Sequence, residues 1–223
     1  GGWVTALKTG ASTALTAASL ARPQAASVTI YGAGTLGRKH LRALRHRFPL
    51  YHAFDVDILP HVADAYAKEL GSELPFPVEA VPLNERERAV RDSDVVMTVT
   101  TGDQPLVERD WLRPGAFVAR LGSYQEVALD VITEAEKVVV DDSHYVSPRI
   151  PEFKPLAQQE RFGAVDVHAE WPDIVAARRP GRESPDEVIV YIALGIWGEY
   201  AAILPAVYRK AQELGLGQTL PRT

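Results

Sequence analysis

The sequence predicts an α/β protein with a doubly wound, mostly parallel sheet, and three observations predict it. Short β-branched runs alternate with amphipathic helical stretches along most of the chain. A glycine-rich turn, Gly32-Ala33-Gly34-Thr35-Leu36-Gly37, joins the first such run to the helix after it. The chain has 223 residues, 46% of them hydrophobic and 24% charged, enough for one large or two small globular domains with a core. Strands that alternate with helices pair in parallel through right-handed crossovers, so the sheet is covered on both faces.

Taken in order, Thr5 to Ala21 is rich in alanine and small polar residues and reads as a helix able to pack closely, ended by Pro23. Ser27 to Tyr31 is a short buried strand, and Leu36 to Arg47 an amphipathic helix with leucines on one side and Arg and Lys on the other. Strand at Tyr51 to Phe54, helix at Ile58 to Leu70 and strand at Pro77 to Val81 follow. After a charged helical turn at Glu85 to Arg91 come strands at Val95 to Val99, Ala116 to Leu121 and Val138 to Val140. From Asp142 to Phe162 proline, charge and aromatic residues break the pattern, which predicts a loop or surface segment. A helix near Ala169 to Ala177, a turn at Arg179 to Arg182, a strand at Val188 to Ile192 and a helix from Ile196 to Leu214 complete the chain.

Composition narrows the function. A net charge of -5, with Arg interleaved among Glu and Asp, leaves no basic face for a nucleic acid backbone. The apolar stretch Val188 to Tyr208 contains Gly195, Gly198, Glu199 and Pro205, which fits a strand running into a helix and not a membrane span. The absence of cysteine excludes disulfides and thiolate chemistry and makes the cytoplasm the expected compartment. The six histidines show no metal-ligand spacing: His144 and His168 are expected at the surface, and His40 and His46 on the charged first helix after the glycine turn. The chain opens Gly1-Gly2-Trp3 and runs directly into a helical pattern, as expected of a segment from within a longer protein.

The glycine turn follows a strand and opens a helix, which is the context of a Rossmann-type dinucleotide site. Gly32 permits the tight turn, Gly34 lets a pyrophosphate approach, and Gly37 lets helix and strand pack closely, while Thr35 and Leu36 begin the helix whose free N–H groups face the phosphates. Asp55, at the end of the next strand, is placed to accept hydrogen bonds from the adenosine ribose, with Asp57 able to share the role. A carboxylate about 4 Å from a 2′-phosphate costs on the order of 4 kcal/mol at an effective dielectric near 20, close to three decades of affinity. NAD is therefore expected over NADP. Thr100 and Thr101, and Gly122 and Ser123, follow two later strands and are expected at the nicotinamide end; loops that only reverse the chain are the alternative.

Several segments together resemble the ornithine cyclodeaminase/mu-crystallin family: Thr5 to Ala11, the glycine turn, Asp94 to Thr101, Pro105-Leu106-Val107, Trp111 to Gly115, Leu121-Gly122-Ser123, Leu129-Asp130, Val139-Val140-Asp141 and the tail Gly195 to Gly217. The resemblance implies an enzyme, usually a homodimer, that exchanges hydride between nicotinamide and the C–N carbon of a small amino or imino acid. A cyclodeaminase that recycles its NAD, or a non-catalytic ligand-binding member, is the alternative. It also implies that residues 1–22 and 185–223 belong to a second, incomplete substrate and dimerisation domain around a dinucleotide domain at 23–184, with the family's N-terminal region absent. Two positions depart from the pattern. Lys8 stands where the family has an arginine that meets the substrate carboxylate, and a solvated helix lysine is the alternative for it. Tyr124 stands where cyclodeaminases and alanine dehydrogenases place a catalytic aspartate, which leaves Glu126 as the nearest replacement acid.

Overall fold

A computed structural model of the chain describes residues 2–144 and 149–218. Its strands are β1 (Ser27–Tyr31), β2 (His52–Val56), β3 (Val78–Val81), β4 (Val95–Thr98), β5 (Phe117–Arg120), β6 (Lys137–Val140), β7 (Ala169–Glu170) and β8 (Ile189–Ile192). They form one sheet in the order β3-β2-β1-β4-β5-β8-β6-β7. Every pairing in it is parallel. The helices are α1 (Gly2–Leu20), α2 (Thr35–Leu44), α3 (Pro60–Glu73), α4 (Arg86–Arg91), α5 (Leu129–Thr133), α6 (Phe153–Gln158), α7 (Trp171–Val175) and α8 (Trp197–Glu213).

Burial on both faces explains why the strands read as continuous apolar runs. Val28, Ile30, Met97, Phe117 and Tyr191 face a core completed by Leu20, Leu41, Leu44, Tyr66 and Leu70 of α1, α2 and α3. Tyr31, Phe54, Val96, Val118 and Val190 face the opposite core, which holds Val90, Val131, Ile132, Phe153 and Leu156. From β1 the chain steps outward to β2 and β3, then returns to place β4 on the other side of β1. The reversal opens a crevice at the carboxyl ends of β1 and β4, where the glycine turn and Thr100 lie.

Three expectations are corrected. Asp142 to Phe162 is not all loop: among its described residues, α6 forms and Ile150, Glu152, Phe153 and Leu156 are buried. Pro155 is tolerated there because it falls in the first turn, where backbone N–H groups lack helical partners anyway. The helix expected at Ala169 to Ala177 is an edge strand, β7, followed by the short α7. Residues 185–223 do not all leave the dinucleotide unit, because β8 is an interior strand between β5 and β6. His40 lies on α2 as expected and faces inward: it is fully buried, its Nδ1 2.7 Å from the Leu36 carbonyl and its Nε2 3.2 Å from the Thr13 hydroxyl, and burial pushes its pKa down to about 4. No helix among the described residues is long and apolar enough to cross a membrane.

Helix α1 bears out the close packing its composition predicts. Its buried residues include the small Ala6, Gly10, Thr13, Ala14 and Ala17, and it lies against α2. A Cβ at Gly10 would stand 2.9 Å from the Lys39 carbonyl oxygen, so the helix backbones touch there without a side chain between them. We expect Gly10→Ala to cost about 1–3 kcal/mol through overpacking. Thermal unfolding is the check, and a melting temperature equal to the parent's would show that α1 shifts freely on α2.

Candidate functional site

The glycine turn is built by backbone contacts that exclude side chains. Gly32 has φ +109°, and a Cβ on it would stand 2.9 Å from the Val99 carbonyl oxygen at the end of β4. A Cβ on Gly37 would collide with the Gly32 carbonyl. Gly34 differs: it is the extended N-cap of α2 with no side-chain cap, and a Cβ on it would meet no atom within 4 Å. Thr35 and Leu36 open the helix, so its first N–H groups point past Gly34 toward the crevice.

The cleft beside this turn has a volume of about 560 Å³, and Gly32, Gly34, Asp57, Val99, Thr100 and Thr101 are among its lining residues. Asp57 and Asp103 are the carboxylates that line it, and Asp57 accepts hydrogen bonds of 2.9 Å from the Ala33 and Leu59 N–H groups. Asp55 lies deeper, in the body of β2 on the side covered by α2 and α3. Neither of its oxygens has a hydrogen-bond partner among the described residues. Burial, reinforced by Asp57, pushes its pKa up to about 8. The charge argument for NAD is corrected accordingly: Asp55 is mostly protonated at neutral pH, and the carboxylates that line the cleft are Asp57 and Asp103.

A second cavity of about 390 Å³ opens on the other flank of the turn, lined by Lys8, Ser12, Leu36, Leu121, Gly195 and Glu199 among others. Lys8 is 5% exposed and bonds Glu199 Oε2 at 2.6 Å, with its Nζ 4.7 Å from the centre of the Tyr200 ring. The Ser12 hydroxyl donates to the other Glu199 oxygen. A solvated lysine is thus ruled out. Glu199 escaped sequence reasoning because it is 191 positions from Lys8 and no local spacing joins them.

Glu126 does not reach either cavity. It is fully buried, and its oxygens accept from the Thr100 N–H and hydroxyl at 2.7 Å, the Thr98 hydroxyl at 2.8 Å and the Gly122 N–H at 2.7 Å. A Cβ on Gly122 would overlap that carboxyl, so this glycine serves the tie between the strand ends, and its N–H is not offered to a cofactor. Beneath the same loop Arg120 and Glu152, both without exposed surface, are paired at 3.1 Å, and Arg120 also donates to the Gly122 and Tyr124 carbonyls. Ser123 and Tyr124 are left exposed on the loop. His144 is exposed, whereas His168 is half-buried with its Nε2 2.9 Å from the Pro180 carbonyl. Asp142, His144 and Glu170 bring ligand atoms within 4.8 Å of one another, but Asp142 accepts from the His144 N–H and Glu170 from the Ser143 N–H.

The arrangement fits a dinucleotide. Gly34 leaves room at a helix N-terminus, buried Asp55 has unspent acceptors beneath the turn, and Asp57 faces the cleft. Comparison with known proteins agrees. The sequence profile of the ornithine cyclodeaminase/mu-crystallin family matches residues 1–215. N-((2S)-2-amino-2-carboxyethyl)-L-glutamate dehydrogenase of Staphylococcus aureus is 29% identical over 97% of this chain, which spans 64% of that protein's length. The structure of Thermococcus litoralis Δ1-pyrroline-2-carboxylate reductase with NADH and L-proline superimposes with a TM-score of 0.92 at 27% identity, covering 97% of this chain and 68% of that one. An archaeal alanine dehydrogenase dimer with bound NAD gives a TM-score of 0.88 at 25% identity, covering 99% of this chain and 68% of that one.

The Asp55 environment predicts a pH dependence of stability. Its carboxyl keeps a proton in the folded chain up to about pH 8 but loses it near its ordinary value of 3.8 when unfolded. The folded state thus binds more protons across that window, and stability falls as pH rises through it. Asp55→Asn is expected to flatten this decline and to raise the melting temperature at pH 8 by on the order of 5 °C. Parallel pH–stability profiles for parent and variant would disprove the burial of an unpaired carboxyl.

Proposed function

The chain belongs to the ornithine cyclodeaminase/mu-crystallin family, and from that premise we propose that it is an NAD-dependent oxidoreductase exchanging hydride with the C–N carbon of a small amino or imino acid. The observation that carries the proposal is the placement of two cavities on either flank of one glycine turn, with Gly34 in the first and Leu36 in the second. In the first, Gly32 and Gly34 face the cleft, and the pyrophosphate is seated against the N-terminus of α2, which Thr35, Leu36 and Gly37 begin. Asp57 takes the ribose end, with Asp55 buried behind it in β2, and Thr100 and Thr101, with Ser123 on the neighbouring loop, take the nicotinamide end. In the second, Lys8 anchors the carboxylate of the amino or imino acid. The bound nucleotide supplies the hydride donor or acceptor.

The ligands held by the related structures support this reading: NADH and L-proline in the archaeal reductase, NAD in the alanine dehydrogenase. We further place the core dinucleotide unit at 23–184 together with β8, and assign α1 and α8 to a substrate and dimerisation face. Exposed Trp3, Leu7 and Leu15 on α1, and Leu204 and Tyr208 on α8, supply apolar surface for a homodimer. A second reading, a ligand-binding member without turnover, is favoured by Tyr124 in place of an acid and by the burial of Glu126. Following nicotinamide absorbance during incubation with amino or imino acids separates the two.

Gly34→Val is expected to leave the fold intact, because its extended backbone suits a β-branched residue and no protein atom lies nearby, and to abolish NADH binding. Retained binding, measured by fluorescence titration, would remove the turn from the site. For cofactor choice, NADH is expected to bind at least about tenfold more tightly than NADPH, since the Asp57 carboxylate repels a 2′-phosphate. Asp57→Ser is expected to narrow that ratio, and equal affinities in the parent chain would defeat the charge argument.

A further inference from the structure

We propose that Glu199 is the residue that binds the substrate nitrogen, so that the Lys8–Glu199 pair selects α-amino and α-imino acids over 2-oxo acids. This inference rests on the oxidoreductase reading above and supplies the acid that neither Tyr124 nor Glu126 provides.

The pair is built into the cavity wall. Asp141, itself buried, accepts from the Leu194 N–H at 2.8 Å and the Gly195 N–H at 2.5 Å, which fixes the chain just before α8. Gly195 has φ +82°, and a Cβ on it would stand 3.0 Å from Lys8 Nζ, so the absence of a side chain there makes room for the ammonium. Glu199 follows in the first turn of α8, 13% exposed, with Ser12 and Lys8 as its partners from α1. Glu199 is the carboxylate among the residues lining this cavity.

Two cations, buried Lys8 and exposed Arg149, and one carboxylate, Glu199, line the cavity, and the Lys8–Glu199 pair matches the two charges of a zwitterion in sign. A ligand carboxylate drawn to Lys8 brings the atom two bonds away, the nitrogen on the α-carbon, toward Glu199. A 2-oxo acid offers that position only an acceptor oxygen, which faces a carboxylate without a donor between them, and this penalises it. The same contact holds an imine as its protonated iminium. A bound nicotinamide would supply the hydride to carbon, the C=N π pair would move onto the protonated nitrogen held by Glu199, and the balance would be neutral amine and oxidised nucleotide.

The test uses isosteric ligand pairs that differ only at nitrogen: L-proline against cyclopentanecarboxylate, and L-alanine against 2-methylpropanoate. Binding to the 223-residue chain is measured by calorimetry with and without saturating NADH. The parent is expected to favour the nitrogen-containing partner of at least one pair by about tenfold or more. Glu199→Gln and Glu199→Ala are expected to reduce that ratio below about threefold, with NADH affinity unchanged. Lys8→Met is expected to weaken both members of a pair alike. A nitrogen preference that survives in both Glu199 variants, or no preference or no binding in the parent, would overturn the assignment. Failure of the parent to bind NADH would instead defeat the cofactor reading, and the measurements without NADH would still report on Glu199.

Discussion

The crevice depends on one buried carboxylate. Parallel strands end side by side with no hairpin to connect them, so their carboxyl ends have no covalent reason to keep a fixed spacing. Glu126 supplies the constraint by accepting from Thr98 at the end of β4, from Thr100 beyond it and from Gly122 after β5. The donors are all neutral, and they replace the water a carboxylate would otherwise keep. Glu152 extends the tie downward, accepting from the Glu126 N–H at 3.2 Å and pairing with Arg120. Removing one member would leave a buried charge uncompensated, which is why such networks rigidify the loops above them.

The two cavities divide the chemistry by what surrounds them. On the cleft side the groups are backbone amides, hydroxyls and the carboxylates of Asp57 and Asp103, and the phosphates of a long ligand would meet the helix end. On the other side two oppositely charged groups, Lys8 and Glu199, lie largely out of solvent, where their mutual field is less screened. A small charged ligand is oriented there by sign as well as by shape. The glycine turn is the wall between them, and its thinness follows from Gly32 and Gly37 being packed backbone to backbone.

Helix α1 links this second cavity to the sheet. Its alanine-rich face lies against α2, the helix opened by the glycine turn, so the position of Lys8 is set by the same contact that positions the turn. His40 at that contact is kept neutral by burial, consistent with its bonds to the Leu36 carbonyl and the Thr13 hydroxyl.

The sequence by itself determined the fold class, the order of most strands and helices, the glycine turn and the family, because these rest on local periodicity and on glycines whose conformational demands are local. The boundaries fared less well where elements are short: α5 and α6 are too brief to show a helical period, and β7 has two residues. Depth was not legible either, since Asp55 and Asp57 are two positions apart, yet the strand pleat buries the first and the strand end exposes the second. Tertiary structure alone decided that Glu126 is spent on strand ends, that β8 inserts between β5 and β6, and that Glu199 meets Lys8. Each depends on which distant segments become neighbours, and that is fixed by sheet order and helix packing, which no spacing along the chain encodes.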